Sequence, residues 1–170
     1  PVEAKLSAEY SLKSKNPVYV RLAKRGEPVF HSNEDFDITM PQVLRDGEEI
    51  ALLFHGTVSQ EVMKAYDELV NDGIHPMLVS VPMLQPLNDT ALLNIMKNIK
   101  RVVSVEEHYE NSGLGNILSN LFSRLNIPMK LKRLGIPYGF IHDIKDQNGM
   151  REHFGISAAG IVKAVSDTFK

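Results

Sequence analysis

From residue 49 onward the chain alternates strand-length apolar runs with segments of helical period, and this alternation restricts the fold more than any other feature. Residues 50–55 (Ile-Ala-Leu-Leu-Phe-His) form a short apolar run closed by Gly56. Ser59 then stands as the N-cap of a segment that places Val62, Ala65, Tyr66 and Leu69 on one helical face, and Asn71-Asp72-Gly73 ends it. The cycle repeats with a strand at 77–81, closed by Pro82 and Pro86, and a helix capped by Asn88-Asp89 that carries Leu92, Leu93, Ile95 and Met96. A strand at 101–105 leads to a helix at 115–125 with Ile117, Leu118, Leu121 and Phe122. A strand at 129–134 follows, then a loop over 135–149, then a last helix capped by Ser157 and burying Ile161, Val162 and Val165. Strands alternating with helices of this length specify an α/β fold. Near-continuous apolar strands further indicate a three-layer open, mostly parallel sheet with helices on both faces. Right-handed crossovers then align the strand C-terminal ends along one edge, where such folds take ligands.

The residues before 49 follow another pattern. Ala4, Ala8, Tyr10 and Leu12 mark a weak helix over 2–14, broken by Asn16-Pro17. Pro17-Val18-Tyr19-Val20-Arg21-Leu22 has the composition of a strand. Residues 24–48 are rich in turn formers without sustained periodicity, apart from one short strand near Gln42-Val43-Leu44. The expected organisation is a separate unit at 1–25, a linker at 26–48 and the main domain at 49–170. The chain opens on Pro1 rather than methionine, which fits a processed terminus and a cut from something longer equally well.

Composition removes several function classes. A net charge of -2 and a pI near 6.3 give no reason to expect a nucleic-acid partner. The apolar runs are too short for a bilayer and there is no cationic leader, so no membrane partner is expected and the cytoplasm is the expected location. Without cysteine there is neither a disulfide framework nor a thiolate metal site.

The candidate chemistry concentrates in residues 103–115, Val-Ser-Val-Glu-Glu-His-Tyr-Glu-Asn-Ser-Gly-Leu-Gly. Glu106, Glu107 and His108 fall at a strand end on the ligand edge. Adjacent carboxylates on an extended segment point opposite ways, however, and a proton-sharing pair needs them face to face. One of them capping the following helix is the plainer reading. Gly113 and Gly115 suit a tight turn and close helix–sheet packing, and Ser112 suits a helix N-cap. The segment lacks the Gly-x-Ser-x-Gly of a nucleophile elbow and the third glycine of a dinucleotide fingerprint. Residues 54–59 offer amides at a helix start, a weak anion site. A composite metal site from His55, His108 and His142 at neighbouring strand ends is a further option. Lys24-Arg25-Gly26 after the early strand fits a phosphate contact and a solvated basic turn about equally.

The order of these segments resembles the C-terminal part of the transketolase family, with transketolases and 1-deoxyxylulose-5-phosphate synthases as the nearest look-alikes. The resemblance is carried by residues 17–26, by 50–59, by the Glu106-Glu107-His108 to Gly113-Leu114-Gly115 corner, and by the tail Phe154-Gly155-Ile156-Ser157-Ala158-Ala159-Gly160-Ile161-Val162. It implies that residues 1–25 are a remnant of a pyrimidine-binding domain. It implies that 49–170 form a C-terminal domain without a catalytic base or cofactor ligand, one that helps to build a homodimer. Thiamine diphosphate and magnesium would sit upstream, through a Gly-Asp-Gly motif ending in Asn. The Asp-Gly pairs at 46–47 and 72–73 lack the rest of that motif. The activating glutamate would also lie upstream of Pro1. On this resemblance the parent enzyme transfers a two-carbon ketol or acyl-derived unit between sugar phosphates. This chain alone would be inactive and carry no cofactor, its partners being a second copy or the missing cofactor-binding domains or subunit. Lys24 or Arg25 would contact the substrate phosphate, and Glu106, Glu107, His108, Gly113 and Gly115 would be structural. A stand-alone anion-binding module and a structural subunit of a split enzyme are the alternatives.

Overall fold

A computed structural model describes residues 1–23 and 26–167. Its centre is β2 (Glu49–His55), five of whose residues are buried in succession. A strand buried on both faces needs neighbours on both sides and layers above and below. It has β3 (Met77–Ser80) on one side and β4 (Ile99–Tyr109) on the other, both parallel to it. β5 (Lys130–Ile136) pairs parallel with β4, and β1 (Gln42–Arg45) closes the opposite edge antiparallel to β3. The order is therefore β1-β3-β2-β4-β5. This is the expected mostly parallel sheet, and its one antiparallel strand comes from the short apolar segment in the linker.

Helices cover both faces. α2 (Ser59–Asn71) and α6 (Ala158–Asp167) pack on the side of Leu52, Phe54, Val103 and Val105. α3 (Asp89–Ile95) and α4 (Leu114–Arg124) pack on the side of Ala51, Leu53, Val79 and Val102. Alternate residues of one strand thus feed two separate cores, which is why the strands read as unbroken apolar runs. Among the described residues no helix is long and apolar enough to cross a membrane.

The amino-terminal part docks on this body. α1 (Val2–Lys13) buries Val2 and Leu6 against Ile38, with Phe36 and Met83 alongside. Glu3 Oε1 accepts from Ser80 Oγ at 2.5 Å and lies 2.9 Å from His31 Nε2, tying helix, linker and β3 together. His31 is sandwiched between Phe30 and Phe36, with ring centroids 4.5 and 4.7 Å away.

Four local expectations need correction. Residues 17–22 belong to no strand, because no described strand runs beside them to pair with their backbone. β4 continues through residues 106–109, since His55 pairs with Glu106 and Tyr109 pairs with Ile136 on its two flanks. The stretch 135–149 is not all loop: α5 (Gln147–His153) starts there, capped by Asp146, whose Oδ1 accepts from Gly149 N at 2.8 Å. Ser59 does not cap α2, because a 3-10 turn over Gly56–Val58 already leads into the helix.

Candidate functional site

β2 sits at the topological switch point: its chain leaves toward β3, while β4 lies on its other side. In an open α/β sheet the crevice beyond such strand ends is where ligands bind. Here that place is formed by residues 55–58 after β2 and residues 106–108 at the end of β4.

The two glutamates do point opposite ways. Glu106, 2% exposed, turns toward α4. Its Oε2 accepts from Leu114 N at 2.7 Å and its Oε1 from Gly115 N at 2.9 Å. It therefore takes two amides that the first turn of a helix leaves unpaired, at the end where the helix dipole favours negative charge. The glycines make room for this. A Cβ on Gly113 would overlap Glu106 Oε2, and one on Gly115 would lie 2.8 Å from both Ser104 Oγ and Arg133 Cγ. Ser112 is not the cap, since Gly113 holds that position and the Ser112 hydroxyl reaches only His108 Nδ1 and Tyr109 O, each at 3.5 Å.

Glu107 turns to the other face and gathers groups from distant parts of the chain. Its Oε1 accepts from Arg151 Nε at 2.5 Å, Gln147 Nε2 lies 3.2 Å from both its oxygens, and the Thr57 hydroxyl donates to Oε2. Arg151 Nη2 also donates to Thr57 O at 2.8 Å, so the guanidinium ties α5 to both strand ends. From the other side, Arg21 Nη1 donates to Glu107 O at 3.3 Å. Burial raises the Glu107 pKa, but the bonds from Arg151 and Thr57, the Arg151 charge and the Gln147 amide together outweigh it. The carboxyl is held below its ordinary value of 4.5.

A second carboxylate continues the network. Glu61 Oε2 accepts from Ala158 N at 2.9 Å, and its Oε1 pairs with Lys64 at 2.8 Å. Burial raises its pKa as well. The Lys64 bond, the Ala158 amide and the charges of Lys64 and Arg151 bring it below the usual range.

The remaining candidates are not brought together. His55 Nδ1 lies 2.7 Å from Val81 O, whereas His108 and His142 are exposed. Among the described residues no three metal-ligating side chains are gathered, so the His55–His108–His142 composite does not assemble. Lys24 and Arg25 lie outside the described residues. The partners of Glu107 were not singled out from sequence. Gln147 and Arg151 at i, i+4 after an Asp cap are the only local signal, and nothing local links them to a glutamate 44 residues away.

Chemically these contacts brace the two strand ends against α4 and α5. Glu106 is engaged by two amides, and Glu107 by a guanidinium, a side-chain amide and the Thr57 hydroxyl. The residues do not fit thiamine diphosphate with its metal. Asp72 lies in the turn that ends α2, where its amide bonds Glu68 O, and a Cβ on Gly47 would overlap Met77 N. The amides of Asp72 and Gly73 are spent on Glu68 O and Val70 O, so that pair offers no free amide to a diphosphate, and Gly47 lies packed against Met77.

Residues 41–161 match the family described as transketolase, C-terminal domain. The chain belongs to that family. One of the subunits of an apulose-4-phosphate transketolase from Actinobacillus succinogenes is 37% identical over 164 residues, covering 95% of this chain and 52% of that protein. A 1-deoxy-D-xylulose-5-phosphate synthase from Rippkaea orientalis is 27% identical over 137 residues, covering 80% of this chain and 21% of that protein. A solved structure described as a split gene transketolase, inactive beta4 tetramer, superposes with a TM-score of 0.88 at 23% identity. It covers 98% of this chain and 54% of that one, and shows the same fold. This transketolase C-terminal domain chain therefore spans about half the length of the apulose-4-phosphate transketolase relative it matches.

Proposed function

We propose that this chain is the C-terminal, non-catalytic part of a transketolase-type enzyme that moves a two-carbon ketol or acyl-derived unit between sugar phosphates in the cytoplasm. Thiamine diphosphate and magnesium are held by domains outside these residues, on a longer polypeptide or on a partner subunit, and supply the carbanion chemistry. Residues 1–25 complete a pyrimidine-binding domain, 26–48 connect, and 49–170 form the assembly domain of a dimer. Lys24 or Arg25 contacts the substrate phosphate, the arginine as a fork and the lysine as a point charge.

The observation that carries this reading is the closed ligand edge. At the switch point Glu106 occupies the amides of α4, and Glu107 is consumed by Arg151, Gln147 and Thr57. A family domain whose ligand edge is filled by its own side chains has an architectural role. A stand-alone module taking an anion at the Gly56 and Gly113 strand ends loses the Gly113 end, where the α4 amides are already taken. The solved split transketolase chain that is described as an inactive tetramer supports inactivity of such a chain by itself.

The test is turnover. Purified alone, the chain is expected to give no ketol transfer from a ketose phosphate. Joined to its cofactor-binding half, it is expected to give transfer that requires thiamine diphosphate. A complete protein that turns over no ketose phosphate overturns the reading.

A further inference from the structure

One surface feature at the same strand edge is left unused by the fold. Between β5 and α5 the chain exposes Tyr138, Phe140 and Ile144 to 80%, 94% and 100%. Single exposed apolar residues are ordinary, but three large ones in one short loop mark an interaction surface. The loop is not loosely held. Glu110 N donates to Ile136 O at 3.0 Å where the loop begins. Tyr109 OH donates to Gly139 O at 3.3 Å, and its ring meets Tyr138 edge-on with centroids 6.0 Å apart. Asp143 pairs with His153 at 3.3 Å, and α5 is fixed to Glu107 through Gln147 and Arg151. A backbone anchored at both ends holds apolar side chains outward, which is the preorganisation that makes aromatic anchors effective at interfaces.

A second apolar stretch reaches the same place. Residues 17–22 form no regular element, Tyr19 and Leu22 are exposed, and Arg21 anchors the stretch to Glu107 O. Tyr109, which holds the loop, is on the same strand as Glu107.

We infer that the loop over residues 137–146 is the docking element by which this domain grips the cofactor-binding half of its enzyme, with Phe140 and Ile144 as the anchors. The inference rests on the proposed function. Three observations select that occupant. The apulose-4-phosphate transketolase relative, of which this chain covers 52%, carries about as much chain again. Residues 17–22 have strand composition without a neighbour, so the sheet they suit belongs to that other part. The loop and this stretch are anchored to one end of one strand, so a body that pairs with the stretch abuts the loop. The depression beside Pro86 and Leu121 on a second copy is a poorer receptor for apolar anchors, since the Asp89–Arg124 ion pair at 2.6 Å forms part of its lining.

Hydrogen exchange on the complete enzyme tests this, with its halves on one polypeptide or as two subunits. Amides of residues 137–146 are expected to exchange at least tenfold more slowly in the complete enzyme than in this chain alone. Phe140→Ser with Ile144→Ser should abolish that protection and leave the chain's own unfolding midpoint unchanged, while Phe140→Leu should retain it. Equal exchange in both states overturns the inference. So does protection that appears in the isolated chain with rising concentration, which would assign the loop to a second copy. If the loop is protected but the complete protein turns over no ketose phosphate, the proposed function fails and the docking stands. If the loop is unprotected in an active enzyme, only the docking fails.

Discussion

Two segments leave neighbouring strands at the same edge of this sheet, and they end differently. The corner after β4 folds inward: Glu106 is buried, takes two amides of α4, and Gly113 admits it. The loop after β5 is pinned to the body and yet turns Phe140 and Ile144 to solvent. One segment spends its carboxylates on the domain's own amides and guanidinium. The other keeps its backbone ordered and its apolar surface unspent. At the end of β4 the side chains are spent on contacts within the domain, and one strand outward large apolar side chains stand in solvent.

Substitutions can break that contrast, beginning with the inward corner. Gly113→Val should have the largest effect, because even a Cβ would collide with Glu106 Oε2. Displacing that carboxyl strands the amides of Leu114 and Gly115, and a loss of about 4 kcal/mol is expected in urea unfolding. Arg151→Ala comes next. It leaves Glu107 half-buried without its cation and should cost about 3 kcal/mol. Arg151→Lys should recover part of that loss, lacking the second arm that reaches Thr57.

A pH series sharpens the comparison further. Glu107 is depressed in the folded state, so its contribution is present above the unfolded value near 4.5 and is lost as pH falls through the lower folded value. Glu61, also depressed, loses its contribution in the same direction. Stability should therefore fall from about pH 4.5 downward. Glu107→Gln should be less stable than wild type at pH 7, with a flatter acid limb by thermal unfolding. An unchanged acid limb would remove Glu107 from the account. The smallest effect is expected outside: Ile144→Ser should change the stability of this chain by no more than about 0.5 kcal/mol. A loss comparable to that of Arg151→Ala would show that the loop packs inward after all.

The layered sheet was legible in the sequence because each parallel strand is an apolar run and each helix a one-sided stripe. Leu52 and Leu53 feed opposite cores, and their adjacency is itself the signal. The opposed directions of Glu106 and Glu107 were legible too, since they follow from strand geometry alone. The Glu107 cluster was not. Its members come from residues 57, 107, 147 and 151, and only the folded chain brings them together. The helix α5 was missed because seven residues ending in Arg-Glu-His show no apolar face. Residues 17–22 misled for the opposite reason: their composition describes a strand, but strand formation requires a neighbour that composition does not supply.

If the cofactor is held by another part of the enzyme, calorimetric titration with thiamine diphosphate and magnesium should show it, first into this chain and then into the complete enzyme. No binding heat is expected with the chain alone, and saturable binding with the complete enzyme. Saturable binding by the chain alone, abolished by Glu107→Gln, would contradict that placement.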